Sequence, residues 1–206
     1  MIARKMERED ADKVATVAAS AFLEEKLYKW TAEDENERQA FLEGFFKFRL
    51  EAGYGTRVMD VAVDDSNEIV GAAIWVPPSK EAAEGPSFDF NRFMSIFGGF
   101  LSTLSSNTAK RCYKFMLTVV EAESFFTQPC WCLAPIFVLK KWQGKGVASL
   151  LMRRQLEKID EEHLPCILVT QEEGNIPIYE RFGFAVGVKV EIDTGLVSYG
   201  MIREAR

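Results

Sequence analysis

The stretch from Ala134 to Lys158, APIFVLKKWQGKGVASLLMRRQLEK, constrains this chain more than any other. It reads as an apolar strand, a turn built on Gly144 and Gly146, and an amphipathic helix from Val147 to about Glu162 whose stripe is Val147, Leu150, Leu151, Leu156 and Ile159. A strand that feeds a glycine-rich turn into a helix start leaves backbone N–H groups unpaired and aimed at one point. The helix dipole adds partial positive charge there. Such a point suits phosphate, although Gly-x-Gly before a helix is also found as a plain tight turn. Neither GxxxxGK[ST] nor GxGxxG is present, so the nucleoside triphosphate and dinucleotide fingerprints are both missing.

Local charge favours the phosphate reading. Between Val138 and Leu156 lie five basic residues (Lys140, Lys141, Lys145, Arg153, Arg154) and no acidic one, in a chain of net charge −6. A reversal of sign at one place suits a ligand with several phosphates. Arg153 and Arg154 sit about two turns along the helix, roughly 10 Å away, within reach of a further phosphate or simply solvated. The acidic balance elsewhere argues against a nucleic-acid surface or a polybasic membrane contact. With 206 residues, 48% of them apolar, one domain with a substantial core is expected. No apolar run is long enough to cross a membrane, and MIARKMEREDADK lacks a signal-peptide core, so a cytoplasmic or nuclear chain is expected.

The cysteines (Cys112, Cys130, Cys132, Cys166) have no CxxC spacing and His163 is the single histidine, so no metal site or disulfide framework is expected. Cys130 and Cys132 fall on one strand face and read as core. His163, before Pro165 at a helix end, reads as a complement to the helix dipole. One histidine also makes a Ser-His-Asp or Cys-His hydrolase hard to build.

Along the chain, the spacing of Val14, Val17, Ala18, Ala21 and Phe22 predicts a helix over 8–29, and Phe41, Leu42, Phe45 and Phe48 a second over about 33–51. Residues 58–63 and 69–76 predict a hairpin across Asp64-Asp65-Ser66-Asn67, closed by Pro77-Pro78. From 79 to 128 the rhythm changes. A polar loop precedes two predicted helices, 90–104 and 109–126, rich in phenylalanine (Phe93, Phe97, Phe100, Phe115), which either pack on the sheet or line a pocket. Pro135 interrupts the strand 130–138 and predicts a bulge or a splay. Strand 165–170 follows, then Glu173 to Phe184, where Asn175 is expected to cap a short helix carrying Pro177 and Tyr179 and ended by Gly183. A hairpin of 185–192 and 196–202 closes the chain.

Gln143-Gly144-Lys145-Gly146-Val147-Ala148 fits Q/R-x-x-G-x-G/A, and Asn175-x-x-x-Tyr179-x-x-x-Gly183-Phe184 follows about 30 residues later. With these motifs the chain resembles the GNAT superfamily of N-acetyltransferases over nearly its whole length. The resemblance implies an α+β, three-layer fold with a mixed central sheet flanked by helices and splayed between its fourth and fifth strands, formed by one domain, 1–206, with 79–128 as a helical insertion. It implies acetyl-CoA as co-substrate and no metal. The pyrophosphate would lie on Gln143, Gly144, Lys145, Gly146, Val147 and Ala148, with Asn175 near the cofactor, and the pantetheine arm on the backbone of Ile136, Phe137 and Val138. Tyr179 would protonate the departing thiolate. The partners implied are an acyl-CoA and an amine acceptor, a small molecule in the first reading. A protein N-terminus or lysine is the second acceptor class, and a non-catalytic acyl-CoA-binding module the third reading. Glu24, Glu25, Glu121 and Glu123 are unranked candidates for the base.

Overall fold

Two apolar runs, β2 (Val58–Val63) and β3 (Ile69–Val76), are almost wholly buried, as strands covered on both faces must be. They lie inside one mixed sheet of seven strands. In the computed structural model, which describes residues 1–78 and 90–206, the elements in chain order are β1 (Ile2–Lys5), α1 (Ala11–Phe22), α2 (Lys26–Thr31), α3 (Glu35–Gly53), β2, β3, α4 (Phe90–Ser102), α5 (Ser106–Ser124), β4 (Trp131–Val138), α6 (Val147–Glu161), β5 (Cys166–Thr170), α7 (Ile176–Glu180), β6 (Ala185–Asp193) and β7 (Leu196–Arg203). The spatial order is β1-β2-β3-β4-β5-β7-β6. All neighbours are antiparallel except β4 and β5. Among the described residues no helix is long and apolar enough to cross a membrane.

The sheet has a core on each face. One joins α1–α5 to the sheet through a phenylalanine cluster in which Phe41, Phe45 and Phe46 are at most 1% exposed. Phe45 contacts Phe41, Phe46, Phe48, Phe100 and Phe115 with ring centroids 5.5–6.4 Å apart. The phenylalanines of α4 and α5 that are described therefore pack as core. The other core places Val147, Leu151, Leu156 and Ile159 of α6 against Trp75, Trp131 and Leu168.

Several expectations are corrected. The helix expected over 8–29 is two helices, because the chain turns at Leu23–Glu25, where Glu25 N–H donates to Phe22 O at 3.0 Å. The N-terminus forms a strand that was not foreseen: four residues with no buried member carry no alternation to read, yet they pair with Asp60–Val63 at the sheet edge. Cys130 lies outside β4 and is only half-buried, whereas Cys132 is core. Asn175 makes no side-chain cap, because a 3₁₀ turn over Glu173–Asn175 runs into α7 and leaves it with helical backbone angles. His163 follows α6 with φ 53°, and its Nδ1 lies 2.6 Å from Arg206 O. The polar loop expected after Pro78, and the side chain of Phe93, fall outside the described residues.

Arg203, 2% exposed, ties this end of the molecule together. It donates to Phe182 O at 2.9 Å and to Asp160 Oδ2 at 2.7 Å, joining β7 to the end of α6 and to the turn after α7. The β3–β4 seam is equally tight, since a Cβ on Gly71 would stand 2.7 Å from Phe137 O. Replacing Gly71 with Ala should lower unfolding free energy by about 1–3 kcal/mol through forced strand separation. Urea denaturation measures this, and a loss smaller than about 0.5 kcal/mol, within the range of ordinary surface changes, would show that the seam yields freely.

Candidate active site

The turn before α6 is held open by two left-handed glycines, Gly144 (φ 72°) and Gly146 (φ 82°), a conformation that other residues adopt only with strain. The side chain of Gln143 anchors it, its Nε2 donating to Val138 O at 3.1 Å. Leu150 N–H to Gly146 O, at 2.9 Å, is the first bond of the helix, so the amides of Val147, Ala148 and Ser149 have no partner within it. A Cβ built on Gly144 or Gly146 meets nothing within 4 Å. Three free amides at the positive end of a 15-residue helix, facing open space, make an anion site.

β4 supplies the next part. Against β3 its register shifts between the pairs Ala73↔Ile136 and Trp75↔Leu133, so β4 carries one extra residue at Ala134-Pro135, the bulge that the proline predicts. The Ala134–Pro135 peptide is cis. Against β5, pairing runs over Trp131↔Cys166, Cys132↔Ile167 and Leu133↔Leu168. Beyond Leu133, Ile136–Val138 pair with β3 alone among the described residues. Their other edge offers backbone groups to whatever enters beside them.

These parts share one cavity of 560 Å³. Its wall includes Ile136, Phe137, Val138, Gln143, Gly144, Gly146, Val147, Ala148, Asn175 and Tyr179. Lys145 does not line it; its ammonium sits 4.8 Å over the Trp142 ring. Arg154 turns instead to the buried Asp60, Nε to Oδ1 at 3.1 Å. Asn175, free of capping duty, faces the cavity. Among the described residues no cluster of His, Cys, Asp or Glu is suited to a metal ion.

Tyr179 packs its ring edge-on to Phe184 at 6.3 Å, and no hydrogen bond to its hydroxyl is present among the described residues. Burial, and then the charge of Glu25, raise the phenol above its ordinary range. Glu25 is the one acidic residue on the described wall. It was one of several unranked carboxylates in the sequence; the broken periodicity after Phe22 and the new stripe at Leu27 and Tyr28 mark the corner but do not separate Glu25 from Glu24. The corner carrying it is pinned down. Lys26 N–H donates to Glu172 Oε1 at 3.0 Å, the Lys26 ammonium to Gly195 O, and Trp30 Nε1 to Asp193 Oδ2 at 2.9 Å. Burial, then repulsion from Glu172, push the Glu25 carboxyl up to about 8. A neutral phenol and a carboxyl poised near neutrality thus face one space beside an anion site and a free strand edge, an arrangement fit for proton transfer at both ends of a reaction.

Residues 128–205 match the family model described as an acetyltransferase (GNAT) domain. An uncharacterized N-acetyltransferase from Schizosaccharomyces pombe is 26% identical over 201 residues, spanning 89% of this chain and 74% of that protein. Among solved structures, the histone acetyltransferase HPA2 and related acetyltransferase from Corynebacterium glutamicum superposes with a TM-score of 0.69 at 18% identity, covering 100% of this chain and 96% of that one. A polyamine N-acetyltransferase from Drosophila melanogaster gives 0.60 at 13% identity, covering 98% and 99%. The mixed sheet flanked by helices is the fold of these proteins, and the match to the acetyltransferase (GNAT) domain model covers β4 to β7 of this chain.

Proposed function

We propose that this protein transfers the acetyl group of acetyl-CoA to a primary amine of a small molecule, by direct attack in a ternary complex. One observation carries the reading: a single cavity is lined by the first residues of α6, by Ile136–Val138 with their edge unpaired toward β5, and by Tyr179. The diphosphate of the cofactor would accept from the amides of Val147, Ala148 and Ser149, with Gln143 to Gly146 wrapping it. Its pantetheine arm would run down β4 as a surrogate strand, which brings the thioester toward the Ala134-Pro135 bulge and splays the fourth and fifth strands around it. The whole chain is read as one acetyltransferase domain in which 79–128 is an insertion.

The chemistry follows from these positions. An alkyl amine with a reference pKa near 10.4 is mostly protonated at pH 7. Glu25, once ionised, takes that proton directly or through water. The amine lone pair then adds to the thioester carbonyl, and collapse of the tetrahedral adduct breaks the C–S bond. The leaving sulfur, whose reference pKa is about 8.5, receives its proton from Tyr179, which burial keeps neutral and therefore a donor, and the second proton shed by the adduct's nitrogen restores the phenol. A protein amine is the second acceptor class, supported by the histone acetyltransferase HPA2 and related acetyltransferase that shares this fold.

Two outcomes test this. Tyr179→Phe should lower kcat with acetyl-CoA and an accepted amine by about 10²–10⁴-fold while KM for acetyl-CoA changes little, as free-thiol release reports. An unaltered rate would remove the acid role. For Glu25, kcat/KM should rise with pH through about 8, and Glu25→Gln should flatten that limb. The same group gives a stability signature. Its folded pKa lies above the ordinary 4.5, so the native state holds the extra proton, and stability is full below pH 4.5 and declines as pH rises toward about 8. Urea midpoints of wild type and Glu25→Gln across that window should diverge, and parallel curves would show that Glu25 is not buried as described.

A further inference from the structure

On the α-helical face of the sheet, beside the β4 bulge, two guanidinium groups share one neighbourhood with too few partners. Arg49 of α3 lies 5.5 Å from the Phe45 ring centroid and donates through Nη2 to Ala134 O at 3.2 Å, while its buried Nε has no acceptor. Arg57, between α3 and β2, has a buried Nη1 with no acceptor and forms no ion pair among the described residues. The two charges feel each other: burial, then Arg49, bring Arg57 down to about 10. The anion nearest in effect is Glu123 of α5, which accepts from Cys132 Sγ at 3.5 Å and whose own carboxyl is raised by burial. It neutralises at most one of the two arginines.

Both arginines are partly exposed, although Arg49 Nε and Arg57 Nη1 are themselves buried. Burying a guanidinium without an anion is costly, so two coupled guanidiniums near the β4 bulge favour an anion between them, although neither lines the cavity of the candidate site. A planar fork of donors matches a carboxylate in bidentate fashion. The location matters as much as the charge. Ala134 marks the end of the β4–β5 pairing, where the thioester arrives if the acetyl-CoA reading above holds, and on that reading this inference rests.

We infer that Arg49 and Arg57 seat a carboxylate of the acceptor, so that the preferred substrates are amines bearing an acidic group: amino-carboxylic acids, free or as acidic residues of a peptide. Their amino group would then be offered to the carbonyl from beside the bulge, with Arg49 bridging the substrate and the Ala134 carbonyl.

The experiment compares matched pairs on the purified protein with acetyl-CoA: each of the common amino acids against the amine left by removing its carboxylate, and peptides with acidic against amidated side chains. Wild type should favour the carboxylate member of at least one pair by roughly 100-fold in kcat/KM, and Arg57→Gln should bring that ratio toward one. Free amino acids outpacing peptides would identify the source as a metabolite, and the reverse would identify a polypeptide. Because Arg57 donates no hydrogen bond among the described residues, Arg57→Leu should unfold no earlier than wild type, which separates a lost ligand contact from a lost fold. Calorimetry with N-acetyl amino acids in the presence of coenzyme A reads the same preference by binding. The inference is overturned if no carboxylate member is preferred in either assay, or if Arg57→Gln lowers both members of a pair alike. Failure of wild type to bind coenzyme A would instead sink the acetyl-CoA reading itself.

Discussion

A strand inside a sheet has two edges to satisfy, and β4 satisfies both only as far as Leu133. The extra residue at Ala134-Pro135 throws it out of step with β3 for one position and it then resumes pairing there, while β5 goes on to pair with β7 through Thr170. Everything at the candidate site follows from this one-sided strand. Its far end, fixed by Leu139 N–H on Val70 O, delivers the chain into the glycine turn, and the turn aims α6 so that its amides look back along the same gap. The free edge and the free amides are one consequence of one interruption, since continued pairing would have closed the space into which both now point.

Much of this was legible in the sequence because the signals are local. Apolar alternation, a proline inside an apolar strand, and two glycines ahead of a striped helix all act within a few residues of themselves. The strand-turn-helix unit, the bulge and the tyrosine helix therefore fell where they were expected. Glu25 was not distinguishable from Glu24, Glu121 or Glu123, because what sets it apart is the packing of the α1–α2 corner against residues some 146 and 169 positions away. The bonds of Lys26 to Glu172 and Gly195 leave no trace in local pattern. β1 was missed for the opposite reason. An edge strand of four residues with no fully buried member carries too little apolar rhythm to record it.

Glu25 and Tyr179 illustrate how one environment gives two side chains different protonation behaviour. Glu25 and Tyr179 share a wall, and desolvation raises both. For the carboxyl that brings titration near neutrality, where taking up a proton and giving it away are both easy. For the phenol it removes ionisation altogether and leaves a pure donor. The same burial thus separates the groups by protonation state, and the charge of Glu25 widens the separation.

The emptiness around Gly144 and Gly146 has an evolutionary consequence. A Cβ introduced there meets nothing within 4 Å, so the fold registers it only as backbone strain, whereas a molecule occupying the gap would meet it at once. Selection for folding and selection for ligand are therefore read by different atoms of one loop. A lineage released from its chemistry could fill that loop and still keep an intact scaffold, which makes this turn the natural first place to look when asking whether a descendant of this fold has become a silent one.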